Sequence, residues 1–509
     1  MSEILRLSRR RFVIGATAVA AATGFGNAAA SNPMLSKHDA LLDLSAVDAV
    51  ARMRRGELSA ERYAQALLDR AAACKALNAF ITLEPGRVLE DARAADRARQ
   101  QRKTLGLLHG LPIPVKDSLN TRDYPTTAGT PALRSFHPSA DAPLVAALRA
   151  AGAIVMGKTN LHELSFGWTS NNLAFGAVHN PYDMARIPGG SSGGTAAAIA
   201  ARIAPLGVAE DTQGSIRVPA ALCGIVGFRP TTGRYSTVGA VPISSLFDQA
   251  GPHARSVADI ALFDAAVSGD ATPLEPVDLR GVRLAVCRSY FFEGLDPEVA
   301  RVTETALKKL AAAGVEIVDL ELPGIARFVE LITDDVQNHD TRVELPRYLA
   351  TYGAAVTFEQ LVAQASPDIR ATFAHDVLPG GPGFVTDAAY RDEVDVQLPK
   401  LRELYRDAFA RSRATAIVFP ATMCAAPLIG NDEAVMISDR KVPFEVAIAR
   451  NISPGSTAGL PGLVLPAGLT GGGLPVALEL DGPHANDRAL LALGLAIEKV
   501  LGPLPAPPI

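Results

Sequence analysis

Residues 188–223, PGGSSGGTAAAIAARIAPLGVAEDTQGSIRVPAALC, contain two serines, Ser191 and Ser215, each in a glycine-flanked turn. Between the turns runs an alanine-rich segment with the composition of a buried helix. Glycine admits φ > 0 and close approach of backbone to a ligand, so paired Gly–Ser turns are places where main-chain N–H groups can meet an anionic oxygen. Outward from this stretch, strands, glycine-rich turns and helices alternate. Residues 141–151 read as an amphipathic helix ended by Gly152, residues 153–156 as a strand, and the rhythm continues to Ile260. It predicts an α/β fold: a single large domain with a central mixed β-sheet flanked by helices on both faces.

The rest of the chain fits that plan. Apolar positions at helical spacing over 44–79, interrupted at 56–59, predict two packed helices with Ser59 capping the second. A charged helix is expected over 90–103 and a proline-bounded strand over 111–115. Strands at 283–287 and 315–322 surround a helix at 297–313, and strands at 416–420, 463–466 and 475–480 precede a last helix at 487–501. The segment 323–400 has a different texture, with acidic and aromatic helices, a PGGPG break at 379–383 and few strand signals, and reads as a helical lid or insertion. The expected organisation is thus a leader at 1–30, a linker (31–42) and helices up to residue 80, and a catalytic domain over 81–509.

The leader is legible in Ser8-Arg9-Arg10-Arg11-Phe12-Val13, a twin-arginine pattern followed by a mildly apolar run and Ala28-Ala29-Ala30, a cleavage cue. It implies export to the periplasm, with no lasting membrane insertion once the leader is removed. The run is too short and too rich in Ala and Gly to read as a membrane span. Without residues 1–30, 45 basic side chains face 52 acidic ones, a net charge of −7. That balance, with no basic stripe interleaved with aromatics, argues against a nucleic-acid partner. Cys74, Cys223, Cys287 and Cys424 are widely spaced and read as small buried hydrophobes, not a disulfide or zinc framework.

A serine hydroxyl needs a base within hydrogen-bonding reach to act as a nucleophile. Histidine is the usual helper, and Gly189-Gly-Ser-Ser-Gly193 formally satisfies G-x-S-x-G. That motif has meaning only on a strand-to-helix elbow, and here a loop with two prolines precedes it. Lysine is the other base. Lys116 follows the apolar run 111–115, where a desolvated ammonium would lose its proton more readily.

Lys116 in Gly110-Leu-Pro-Ile-Pro-Val-Lys-Asp117, Ser191 in Pro-Gly-Gly-Ser-Ser-Gly-Gly, and Ser215 in Asp211-Thr-Gln-Gly-Ser-Ile-Arg-Val-Pro219 together resemble the amidase signature family. The likeness extends over residues 45–500 and includes Lys158-Thr-Asn-Leu-His-Glu163. It implies a Ser-cisSer-Lys triad, with Ser215 as nucleophile, Ser191 as bridging serine behind a cis peptide and Lys116 as base. The family's spacing selects Ser191 over Ser192. It also implies an oxyanion hole of backbone N–H groups at Thr212, Gln213, Gly214 and Ser215, and hydrolysis of amides without metal or cofactor. The wording of residues 162–172 is nearest the mandelamide and indoleacetamide hydrolases, so the implied partner is a small or aryl-substituted amide. An esterase or carbamate hydrolase on the same scaffold, or a transamidase subunit, is the alternative, and a homodimer is the candidate assembly.

Two positions depart from the family pattern. Gln213 replaces the first of two glycines before the nucleophile, placing a side chain beside the acyl pocket, and Glu210 stands where a small or hydroxyl residue is common. Asp211 and Arg217 read either as an ion pair pinning the nucleophile turn or as a surface pair of little consequence. Trp168 reads either as a packing residue or as a wall of the substrate pocket. His162 and Glu163 lack the second histidine of a zinc helix and read as structural.

Overall fold

The computed structural model describes residues 39–509. The expected leader at 1–30 and the first part of the linker lie outside them. The end of that linker is not loose: Asp39–Leu42 is a helical turn, with Leu41 buried in the main core. Helices Ala46–Arg55 and Ala60–Ala73 follow, each capped by a serine whose hydroxyl accepts a first-turn N–H, Ser45 from Asp48 and Ser59 from Arg62. Gly56 ends the first helix at φ 78°, a left-handed position that glycine occupies without a Cβ penalty.

Eleven strands form one mixed sheet. In chain order they are β1 (Phe80–Leu83), β2 (Pro112–Lys116), β3 (Ile154–Thr159), β4 (Leu206–Asp211), β5 (Val226–Arg229), β6 (Gln249–Ala254), β7 (Arg283–Val286), β8 (Glu316–Asp319), β9 (Ala416–Pro420), β10 (Gly462–Leu469) and β11 (Pro475–Asp481). Their spatial order is β1-β3-β2-β4-β6-β5-β10-β11-β9-β7-β8. Strands β3, β2 and β4 run parallel, β4, β6, β5, β10, β11 and β9 alternate antiparallel, and β9, β7 and β8 are parallel again. Every residue of β2, β3 and β4 is buried, as helices on both faces require.

Three helices frame the site. The first, α1 (Gly193–Ala200), is buried along its whole length, because its sequence GGTAAAIA offers no polar face to water. A Cβ at Gly194 would sit 2.3 Å from Asn160 O and 2.5 Å from Ala79 O, so glycine there lets the helix press against backbone. The second, α2 (Arg217–Cys223), is also buried and ends at Gly224 in the left-handed region. The third, α3 (Ile325–Thr351), opens the helical segment expected over 323–400. It is followed by Phe358–Gln364, Pro367–Thr372, Asp387–Asp392 and Leu398–Ser412, with no strand among them. This segment packs on two satellite cores, one around Phe419 and Leu401 and one around Phe373 and Leu361. All four cysteines are buried and unpaired, and no helix among the described residues is long and apolar enough to cross a membrane.

Candidate active site

Lys116 ends β2, and Glu210 and Asp211 end β4, its parallel neighbour. Three ionisable side chains therefore converge at the carboxyl ends of adjacent strands, the edge where open α/β sheets bind ligands. Ser191 lies in the loop entering α1, and the Gly190–Ser191 peptide is cis. Lys116 Nζ donates to Ser191 Oγ at 2.6 Å and to Glu210 Oε2 at 2.7 Å. Both members of the ion pair are cut off from solvent, with side-chain exposures of 0% and 2%. Burial drives the Lys116 ammonium toward the neutral amine, and Glu210 opposes that shift.

Ser192 has a different task. Its Oγ donates to Glu210 O at 2.9 Å and accepts from Glu210 N–H at 3.3 Å, while its own N–H donates to Ser215 O. It ties the two serine turns to β4 and makes no hydrogen bond with the lysine, whose partners are Ser191 and Glu210.

The Ser215 turn is held from behind by Asp211. One carboxylate oxygen accepts from Gly214 N–H at 2.7 Å and the other from Ile216 N–H at 3.0 Å. Arg217 Nε and Arg229 Nη1 pair with the same carboxylate at 3.1 Å and 3.4 Å, all three side chains being fully buried. Despite burial, these guanidinium groups hold the Asp211 carboxyl down at about 2. Arg217 continues to Glu479 and to the Ser456 hydroxyl. The surface-pair reading of Asp211 and Arg217 is therefore overturned: the pair is interior, where removing one partner is expensive. Gly214 sits at φ 134°, and a Cβ there would meet Ile452 Cγ2 at 3.0 Å. Gln213 is not among the residues with positive φ, so the backbone accepts a side chain at the first position of the family's glycine pair and not at the second. Of the four N–H groups expected to form an oxyanion hole, that of Gly214 is spent on Asp211.

Ser215 opens on a cavity of about 420 Å³, lined also by Trp168, Gln213, Phe166, Ile243 and α3 residues Asp334 and Gln337. Trp168 packs against the main core and also lines this cavity. Gln213 Nε2 donates to Gln337 Oε1 at 2.9 Å and bridges the nucleophile turn to α3. Asp376 and Glu445 add two more carboxylates to the wall. Surrounding protein and Glu445 push the Asp334 carboxyl up to about 6. A larger cavity of about 730 Å³, beside Arg402 and Gly459, contains neither the serines nor the lysine.

No strand leads directly into Gly189, so the elbow reading of G-x-S-x-G fails, and among the described residues no histidine ring hydrogen-bonds the hydroxyl of Ser191 or Ser215; His162 reaches Ser191 only through its backbone N–H, which donates to Ser191 O at 3.1 Å. His162 Nδ1 lies 3.1 Å from Thr169 Oγ1, and Glu163 accepts from Ser366 N–H, contacts that fix loops around the site. Sequence reasoning misses the carboxylates at Asp334, Asp376 and Glu445, which come from distant segments, and Asp248, whose carboxyl burial and nearby Glu210 push well above the usual range. It singles out Glu210 without a role, although adjacency to Asp211 on one strand end is the signal that could place it beside Lys116.

A family model described as Amidase matches residues 62–491. The chain is 38% identical to an indoleacetamide hydrolase of Agrobacterium vitis, over 90% of this chain and 97% of that one. It is 36% identical to a mandelamide hydrolase of Pseudomonas putida, over 93% and 94% of the two chains. Among solved structures, the native peptide amidase from Stenotrophomonas maltophilia superposes with a TM-score of 0.76 at 31% identity, covering 91% of this chain and 98% of that one.

Proposed function

Because the chain belongs to the amidase family and is an amide-hydrolysing enzyme, we propose that it works through an acyl-enzyme on Ser215, with Ser191 as bridging serine and Lys116 as base. The observation that carries this reading is the buried 2.6 Å contact from Lys116 Nζ to Ser191 Oγ, on the strand edge where the Ser215 turn is anchored. A base in the interior, kept from water, is biased toward its neutral form. Ser191 gives its proton toward Lys116 and takes that of Ser215, whose oxygen then bonds to the carbonyl carbon. The electron pair displaced onto the carbonyl oxygen is met by N–H groups of Thr212, Gln213 and Ser215, with Asp211 and Arg217 supporting their turn. The proton returns along the same path to the leaving nitrogen, and water repeats the cycle on the ester.

The acyl group is small or aryl. Phe166, Trp168 and Ile243 give the cavity an apolar wall, and relatives named for arylacetamide substrates support that choice. Export through the twin-arginine route belongs to the same reading, since a disulfide-free core suits a protein that crosses the membrane folded. The test is hydrolysis of matched arylacetamide, ester and carbamate substrates by purified wild type and Ser215→Ala. Amide turnover lost in the variant is expected; turnover only of the ester or carbamate would replace the amidase reading.

A further inference from the structure

Glu210 is a direct partner of Lys116 that the triad leaves unused. Its Oε2 accepts from Lys116 Nζ at 2.7 Å and from Ser165 Oγ at 3.1 Å, with the Lys116 and Glu210 side chains both buried. Its Oε1 lies 3.2 Å from Thr212 Oγ1, which also lies 2.7 Å from Asp248 Oδ1. A hydroxyl carries one proton, so Thr212 serves both carboxylates only when one of them is itself protonated, and Asp248, whose carboxyl burial and Glu210 push well above the usual range, is the one the surroundings favour. The other charged and titratable groups around the pair are Asp211 at the end of β4, His253 on β6 and His162 beyond β3.

We propose that Glu210 shares the titrating proton of Lys116, so that the base that deprotonates Ser191 is the Lys116–Glu210 pair and not the lysine alone. The proposal rests on the triad reading above. At rest the pair is neutral overall, as ammonium with carboxylate or as amine with carboxylic acid, and in either form it has room for one more proton. When Ser215 attacks, its proton passes to Ser191 Oγ, the Ser191 proton passes to Lys116 Nζ, and a proton on Nζ moves to Glu210 Oε2 if that oxygen is bare. The C–O bond forms, the carbonyl electron pair moves to oxygen, and the pair ends as ammonium with carboxylic acid. Cleavage of the C–N bond sends the proton back through Ser191 to the departing nitrogen. Glu210 is thus a positioning residue acting through Lys116, and one that stores a proton.

The sign of the pH effect follows from coupled titration. The fully protonated pair can lose its proton from nitrogen or from the carboxyl, and its macroscopic acid constant is the sum of the two microscopic ones. Glutamine imitates the neutral carboxyl and closes the second route. Glu210→Gln should therefore raise the acid limb of kcat/KM by about one pH unit or more, a loss of about tenfold below that limb. Glu210→Asp should bring the limb back toward wild type. Glu210→Thr, which keeps a hydrogen-bonding partner for Lys116 without a titrating group, should shift the limb upward as well and serves if the glutamine variant does not fold. A carboxylate that merely held the lysine charged would give the opposite result, a lower limb in Glu210→Gln. One that merely packed would depress the whole profile and leave the limb in place. Either outcome overturns the proposal. Fluorophosphonate labelling run alongside separates the two readings. Label that persists in Ser215→Ala defeats the triad, whereas label confined to Ser215 with an unmoved acid limb defeats only the role of Glu210.

Discussion

Lys116 at the end of β2 and Lys158 on β3 occupy neighbouring parallel strands, and both are fully buried beside a carboxylate, Glu210 at 2.7 Å and Asp117 at 2.9 Å. Burial lowers the pKa of each ammonium, and its carboxylate opposes the shift. They differ in where the remaining donors go. Lys158 Nζ also donates to Leu119 O, Pro125 O and Thr126 Oγ1, at 2.8, 3.2 and 2.9 Å. These acceptors belong to the loop after β2, so Lys158 pins that loop to the sheet. Lys116 meets the hydroxyl of Ser191, whose turn is tied to that of Ser215 through Ser192, whereas the hydroxyl that Lys158 meets, that of Thr126, lies in the pinned loop. Burial and an ion pair are common to both lysines. A serine able to release a proton belongs to one.

Exchanging each lysine for an apolar residue of similar length should separate the two roles. Lys116→Met should lower amide kcat/KM by about 10³-fold or more, the scale of losing the general base of a nucleophilic set, while the purified variant keeps a cooperative unfolding transition. Lys158→Met should spare turnover, although both variants leave a buried carboxylate without its cation. It leaves Asp117 buried without its cation, a change that costs about 3–5 kcal/mol, measurable as a lowered midpoint in urea, while kcat of the folded protein stays within about tenfold. Comparable loss of turnover in both variants would erase the distinction.

The Asp211 clamp provides a smaller, pH-dependent effect. Its carboxyl titrates at about 2 in the fold against about 3.9 in an unfolded chain, so the protonated form disfavours the native state. The resulting stabilisation, about 2–3 kcal/mol, is present above pH ~4 and is lost as pH falls from there toward 2. Denaturation midpoints measured across that window should fall more steeply in wild type than in Asp211→Asn, which is less stable at neutral pH. Smallest of all is Gln213→Gly. It removes the bridge to Gln337 without disturbing the backbone, and should change KM several-fold with kcat nearly constant; a loss of kcat above about tenfold would make the side chain part of the oxyanion turn.

Long amphipathic or apolar runs report their own periodicity, and there sequence and fold agree closely. The last helix, expected over 487–501, is Asp487–Leu501, and the strand expected over 416–420 is Ala416–Pro420. The central strand β6, QAGPHA, is not legible in the same way. It contains no β-branched or alternating pattern, and its proline is tolerated because the ladder with β5 reaches only His253 and Ala254. At the site, Lys116, Ser191 and Ser215 are legible together only through a family likeness covering most of the chain. Local pattern alone yields two equivalent serine turns. The partnership of Lys158 with Asp117 depends on a loop folding back on the sheet, and the carboxylates lining the Ser215 cavity depend on how the segment after β8 and the helix Phe444–Ala449 lie over it. Neither arrangement has a local signature. The left-handed φ of Gly214 and ordinary φ of Gln213 explain why one family glycine is dispensable.

That Ser215 is the nucleophile and that Lys116 drives it can be tested by intact-protein and peptide mass spectrometry after reaction with a fluorophosphonate, in wild type, Ser215→Ala and Lys116→Met. One adduct on the peptide carrying Ser215 is expected in wild type, none in Ser215→Ala, and labelling slowed by about 10²-fold or more in Lys116→Met. An adduct on another residue, or labelling that persists in Ser215→Ala, would refute Ser215 as the nucleophile, and labelling at the wild-type rate in Lys116→Met would refute Lys116 as its base.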